Sequence, residues 1–173
     1  GYAMTGASNG NTLVGGAAGD AITTGDNNTA VGAYALTDED ESSAITAIGY
    51  NAGNNHNGGT ANTFVGAYCG DAVTTGTANT YIGDSCAGIA NTGSGNCGSG
   101  HNALSTLTTG ANNVAVGYEA GYGTGGTFDS SGGVFIGYRA GKAITSGATN
   151  VCIGADAGTA LTSGGSNVCI GHQ

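Results

Sequence analysis

The residues of this sequence with reach for chemistry are five cysteines, three histidines, one acidic run and a set of tyrosines. Cys69 and Cys86 stand 17 apart, as do Cys152 and Cys169, and Cys97 lies between the pairs. None forms a C-x-x-C pair or joins a histidine at the spacing of a zinc site. A cysteine recurring at a fixed interval substitutes for alanine in packing, so free, buried thiols are expected. Parallel in-register neighbours meet the Cα separation of a disulfide but not readily its torsion. His56, His101 and His172 lack a fixed acid or nucleophile partner, so no triad can be built. Asp38-Glu39-Asp40-Glu41 lacks the ligand spacing of a calcium loop and reads as a solvated corner.

Gly93-x-Gly95-x-x-Gly98 and Gly121-x-Gly123-x-x-Gly126 spell a dinucleotide fingerprint. Neither opens a helix within a βαβ unit, which the phosphate-binding mechanism requires. Catalytic, cofactor and metal residues are therefore expected to be none, and an enzyme is not expected. Tyr34, Tyr50, Tyr68, Tyr118 and Tyr138 fall one or two places after a recurring glycine. Rings beside Asn and Asp could contact a glycan, or simply cover an edge.

What positions all of these is a repeat. The phrase Asn28-Thr29-Ala30-Val31-Gly32 returns along the whole chain, ending at Gly15, Gly32, Gly49, Gly66, Gly83, Gly100, Gly117, Gly137, Gly154 and Gly171. Every step is 17 residues except one of 20, from Gly117 to Gly137. A fixed period of this kind marks a solenoid, and one domain spanning 1–173 is expected.

With the corner glycine as position 0, position −1 is Val14, Val31, Ile48, Val65, Ile82, Ser99, Val116, Ile136, Ile153 and Ile170. Position −3 runs from Thr12 through Thr80, then Cys97, Val114, Val134, Val151 and Val168. Side chains two apart share one face of a strand, and β-branched residues favour strands. This face, with its Val and Ile, is expected to fill the coil core. Position −2 points the other way: Leu13, Ala30, Ala47, Phe64, Tyr81, Gly98, Ala115, Phe135, Cys152 and Cys169. An apolar outward column needs cover, so its side chains are expected to make the inter-chain contact of a homo-oligomer.

Asn at position −4 is expected to form a hydrogen-bonded ladder. The glycines are expected to turn corners where φ is positive or a Cβ has no room. A second short β segment is expected after an aliphatic residue such as Ile22, Val73 or Leu107. The architecture is an all-β parallel β-solenoid of about ten 17-residue coils, a rod roughly 45–50 Å long. It is irregular at 96–100, and three extra residues within 122–133 are placed in a surface loop.

Composition excludes other classes. The chain has 37 Gly and no Pro, and its two cations, Arg139 and Lys142, face eleven acids for a net charge of −9. Such a chain cannot neutralise a row of phosphates, so no nucleic acid is expected as partner. An anionic membrane surface is an equally poor one. No apolar run approaches 18 residues, so no membrane-spanning helix is expected. Both ends fall inside a repeat, as in an excerpt of a longer repetitive polypeptide.

The phrase N-T-A-V-G-x-x-A resembles the head repeats of trimeric autotransporter adhesins and, more closely, repeats of bacteriophage tail fibres. The likeness covers essentially the whole chain, although the period here is longer than that of the adhesins. It implies a left-handed β-roll, three chains side by side, and a place on a virion or extracellular surface. The expected function is a structural fibre segment of a phage virion, with other virion or appendage proteins and host-surface glycan as partners. The alternatives are a bacterial adhesin head and an ice-binding solenoid. Ice binding is disfavoured, because the Thr12–Thr80 column shares its face with the Val/Ile column expected to be buried and gives way to Val after Gly100.

Overall fold

The structure is a computed structural model describing residues 9–38, 41–89, 91–125 and 128–173. Glu39 and Asp40 of the acidic run, and Gly126 and Thr127 of the insertion, lie outside the described residues. The chain is an all-β parallel solenoid: β1 (Thr12–Val14), β2 (Thr29–Val31), β3 (Thr46–Ile48), β4 (Thr63–Val65), β5 (Thr80–Ile82), β6 (Cys97–Ser99), β7 (Val114–Val116), β8 (Val134–Ile136), β9 (Val151–Ile153) and β10 (Val168–Ile170). They form one ten-stranded sheet in sequential order. Pairing is in register, Thr29 with Thr46, Ala30 with Ala47 and Val31 with Ile48. Even the irregular Cys97-Gly98-Ser99 keeps its place between β5 and β7.

The corners are made by backbone geometry. Gly32 has φ +140°, and a Cβ there would overlap the carbonyl oxygen of Gly49 in the next coil. The same holds from Gly15 to Gly154, so glycine is required on two counts. Left-handed residues then bend the chain at positions +2, +4 and +12, as at Tyr34 (φ 58°), Leu36 (φ 51°) and Ala44 (φ 60°). These bends leave no second regular strand among the described residues. The expected second segment is reduced to two isolated bridges, Val73 with Asn91 and Leu107 with Phe128.

The structure reverses the expected inside and outside of the strand. Ala30, Ala47, Phe64, Tyr81, Ala115, Phe135 and Cys152 of position −2 are fully buried within their own chain, and Leu13 and Cys169 pack against that core. They line the coil interior and cannot make the inter-chain contact assigned to them. Val14, Ile48, Ile82, Val116, Ile136, Ile153 and Ile170 are exposed, while Val31 and Val65 are half-buried. They are not the coil core.

The asparagines explain the reversal. Position −4 lies on the same strand face as −2, and its amide must reach across the coil to satisfy backbone. Asn28 Nδ2–H donates to the Ser42 carbonyl at 2.8 Å, and its Oδ1 accepts the Ile45 N–H at 2.9 Å. Asn79 does the same with the Gly93 carbonyl and the Asn96 N–H, each at 2.9 Å. The expected ladder thus exists, chiefly as amide-to-backbone bonds in a dry interior. Drawing Asn inward draws position −2 inward with it.

The core also includes Ala18, Ala35, Ala52, Cys69, Cys86 and their successors at position +3. Phe128, from the stretch read as a surface loop, is buried with its ring centroid 5.6 Å from that of Phe135. The insertion therefore spans fewer exposed residues than expected, because an apolar side chain inside it closes the coil.

Candidate functional site

The large hydrophobic side chains exposed among the described residues are nine aliphatics on the outward strand face and five tyrosines just past the corner glycine. They occupy positions −3 and −1 of the strands and +1 or +2 beyond the glycine: Val14, Ile48, Ile82, Val114, Val116, Ile136, Ile153, Val168 and Ile170, with the five tyrosines. The strands present two parallel rows here, Thr then Val at −3 and Val or Ile at −1, without a charged residue in either. Exposure reaches 44% at Ile82 and 73% at Ile170.

The structure brings the predicted tyrosines together in two groups. Tyr50 meets Tyr34 and Tyr68 edge-on, with centroids 5.9 and 5.3 Å apart. Tyr118 stacks on Tyr138 at 5.5 Å and on His101 at 5.3 Å. His101 Nε2 lies 4.0 Å from Asp84 Oδ2. Rings stacked along the rod spend their faces on one another, which leaves edges and hydroxyls toward solvent. That geometry favours edge cover over stacking of a sugar on Tyr118 or Tyr138.

Next to this stack, three charged groups converge that the sequence reading left unassigned. Glu119 Oε2 receives Lys142 Nζ at 2.5 Å and lies 3.3 Å from Arg139 Nε. The arginine contact is close enough for ionic attraction but is not aligned as a hydrogen bond. Arg139 also lies over the Tyr138 ring and Lys142 over Tyr122, each 5.5 Å from the centroid. Burial pushes the Glu119 carboxyl up. The Lys142 hydrogen bond and the two positive charges outweigh it and hold the group below the usual glutamate value. The signal that could have found this corner is the chain's two cations, three residues apart at positions +2 and +5.

The five cysteines are free thiols, of which Cys69, Cys86 and Cys152 are buried, Cys169 is half-buried and Cys97 is exposed on the strand face. Burial among the other thiols' surroundings is not what raises Cys86 most. Its contact with the Cys69 sulfur comes first, then desolvation, and both push it far above an ordinary thiol. Burial pushes Cys152 up to about 11. High values keep these sulfurs protonated and poorly nucleophilic. His56 is buried, its Nε2 2.8 Å from Asn62 Nδ2 and its ring centroid 5.6 Å from that of Phe64, so it serves the core beside the ladder. Among the described residues no group of three or more His, Cys, Asp or Glu could hold a metal. No described helix is long and apolar enough to cross a membrane.

Neither a protein-family model, nor a curated protein, nor a solved structure matches the chain.

Proposed function

We propose that this chain is a structural fibre segment of a phage virion or a similar surface appendage, working as a rigid rod in which copies of the chain pack side by side. The observation that supports this most is the confinement of the nine exposed large aliphatics to the outward strand face. A strip of ten rungs about 45 Å long and 10 Å wide covers about 450 Å². The half-exposed tyrosines add roughly as much again. The strip alone lies within the range of patches found on monomers, and burying the tyrosine edge with it brings the contact to the roughly 800 Å² per partner of a stable interface. The trimer is carried by the resemblance to adhesin and fibre repeats. The contacting side chains are now those of positions −3 and −1, in place of −2. Sedimentation equilibrium of the purified chain tests the reading: a trimer is expected, and a monomer at micromolar concentration defeats it. A membrane anchor encoded in the same gene would move the assignment to a bacterial adhesin.

A second reading, ice binding, gains from one observation. Thr12, Thr29, Thr46, Thr63 and Thr80 lie on the outward face, exposed or half-buried, which overturns the expectation that they are buried beside Val and Ile. The change from Thr to Cys and Val from β6 onward still counts against a continuous ice-matching row. Thermal hysteresis of the chain separates the two readings.

A further inference from the structure

We propose that the recess beside Arg139 and Lys142 is a binding site for a carboxylated sugar, a hexuronate or similar acidic monosaccharide unit. The recess has a volume of about 410 Å³ and is lined by Thr124, Arg139, Lys142, Ala143, Asp156 and Thr159. It opens between positions +2 and +5 of successive coils, round the corner from the strand face. No other place in the repeat combines these groups: the chain's two cations both lie here, beside the one 20-residue step.

The cations are held in place before any ligand arrives. Each rests over a tyrosine ring, Glu119 accepts a hydrogen bond from Lys142 Nζ, and the same carboxylate attracts Arg139 at 3.3 Å from its Nε. Glu119 and Asp156 together balance the two cations in formal charge, but the ion pairs of both cations go to Glu119. The Nη atoms of Arg139 have no hydrogen-bond acceptor among the described residues, so a planar two-donor edge is left for a ligand. Carboxylate is the anion whose two oxygens match that edge.

The other wall selects for hydroxyls. Asp156 lines the same recess, yet the cations' ion pairs go to Glu119. Its carboxylate can only accept, so it favours a ligand that also carries donors. Thr159 Oγ1 donates to Gln173 Oε1 at 2.5 Å and keeps lone pairs for an incoming hydroxyl. A bare anion would meet repulsion from Asp156. A neutral sugar would leave Arg139 unanswered. A sugar acid satisfies both walls.

The site lies on a single chain and does not rest on the fibre reading, so a monomeric protein can be used. The probes are methyl β-glucuronide, methyl β-glucoside and acetate, each titrated against the full chain and followed by amide and Arg Nε–H shifts in NMR. Saturable shifts at Thr124, Arg139 and Thr159 are expected with the glucuronide, at an affinity about tenfold or more above either control. Arg139→Gln should remove that preference, and Asp156→Asn should narrow the gap between glucuronide and acetate. Thr159→Val leaves the Glu119 ion pairs intact, and it should weaken binding even if Arg139→Gln proves unstable. Equal binding of acetate and glucuronide, shifts that survive both Arg139→Gln and Thr159→Val, or no saturable shift with any probe would each overturn the proposal.

Discussion

Phe64 shows how a coil of this size holds a large ring. The ring lies against Gly70 and Gly53, where an added Cβ would come within 2.8 Å of Phe64 Cδ2 at Gly53 and closer still at Gly70. The left-handed backbone at position +4 does not itself demand glycine, because Leu36, Ala87 and Leu104 hold φ of 51–53° there. What decides is how closely a side chain of the same or a neighbouring coil approaches: Gly53, with Ala47 in its own coil, is closed off by Phe64 of the next, whereas Ala87 coexists with Tyr81. Leu36 faces Ala30 and Leu104 faces Gly98, whereas Gly70 faces Phe64 and Gly141 faces Phe135. Gly70→Ala is therefore expected to lower stability by about 2–4 kcal/mol, mostly through overlap with the ring. Combining it with Phe64→Leu should recover about 1–2 kcal/mol relative to the sum of the single changes. Urea midpoints of the two singles and the double would show it, and strict additivity would count against the size pairing.

Asn79 makes a second residue-scale case. Its amide serves the Gly93 carbonyl and the Asn96 N–H, both inside the coil. Asn79→Ala leaves two buried backbone groups unmet, at about 1–3 kcal/mol each. Urea unfolding should record a loss of about 2–5 kcal/mol, against a near-neutral Asn57→Ala, whose side chain is exposed. Equal effects would mean that the ladder contributes little.

At the scale of the element, the repeat, the strand positions and the corner glycines are all readable from the spacing of Gly, Asn and β-branched residues. The side of the strand that faces inward is not, because both faces are apolar. Thr and Val beside Ile look as buriable as Ala, Phe and Cys. The distinction lies in variance. Positions −3 and −1 change little in size, whereas −2 swings from Gly98 to Phe135 and is partly balanced at +4, as with Gly70 beside Phe64 and Leu104 beside Gly98. Compensation of that kind is a demand of close packing and marks the interior. The missing second strand escaped notice because Ala, Tyr, Asn and Glu sit in left-handed corners where glycine would have announced a turn. The charged corner was missed because its members come from different coils, Glu119 lying 23 residues before Lys142.

That corner also carries a pH dependence. Glu119 has its folded value lowered, so its contribution is present above the unfolded value of about 4.3 and lost as pH falls through the folded one. Asp129, lowered first by the Thr108 hydroxyl, acts in the same sense. Asp71, raised by burial, acts in the opposite one: its contribution is present at low pH and lost as pH rises past the ordinary aspartate value. Glu119→Gln should be less stable than the parent at neutral pH and converge with it below about pH 4. Urea midpoints at the two pH values test this, and a constant gap would remove Glu119 from the account.

For the whole molecule the question is how a rod with a net charge of −9 associates with its copies. The acids lie off the two strand rows, so chains meeting along those rows bring together uncharged side chains. The remaining charge is screened beyond about 8 Å at physiological salt. On the expectation that position −2 made the contact, Phe64→Asp would disrupt association with little harm to the coil. Since Phe64 is buried, that change should instead unfold the coils around it. Ile82→Asp and Ile136→Asp place their carboxylates on the exposed rows, where a monomer can solvate them. These variants should sediment as monomers while keeping the parent's far-UV spectrum. Cys97 gives an independent reading, since it lies on the same strand face, in the −3 row of the sixth of ten rungs. Three parallel chains in register would bring their Cys97 sulfurs to one level of the shared axis, and mild oxidation should then give a covalent dimer plus an unpaired third chain. Oligomers that persist in both aspartate variants would place the contact elsewhere on the rod.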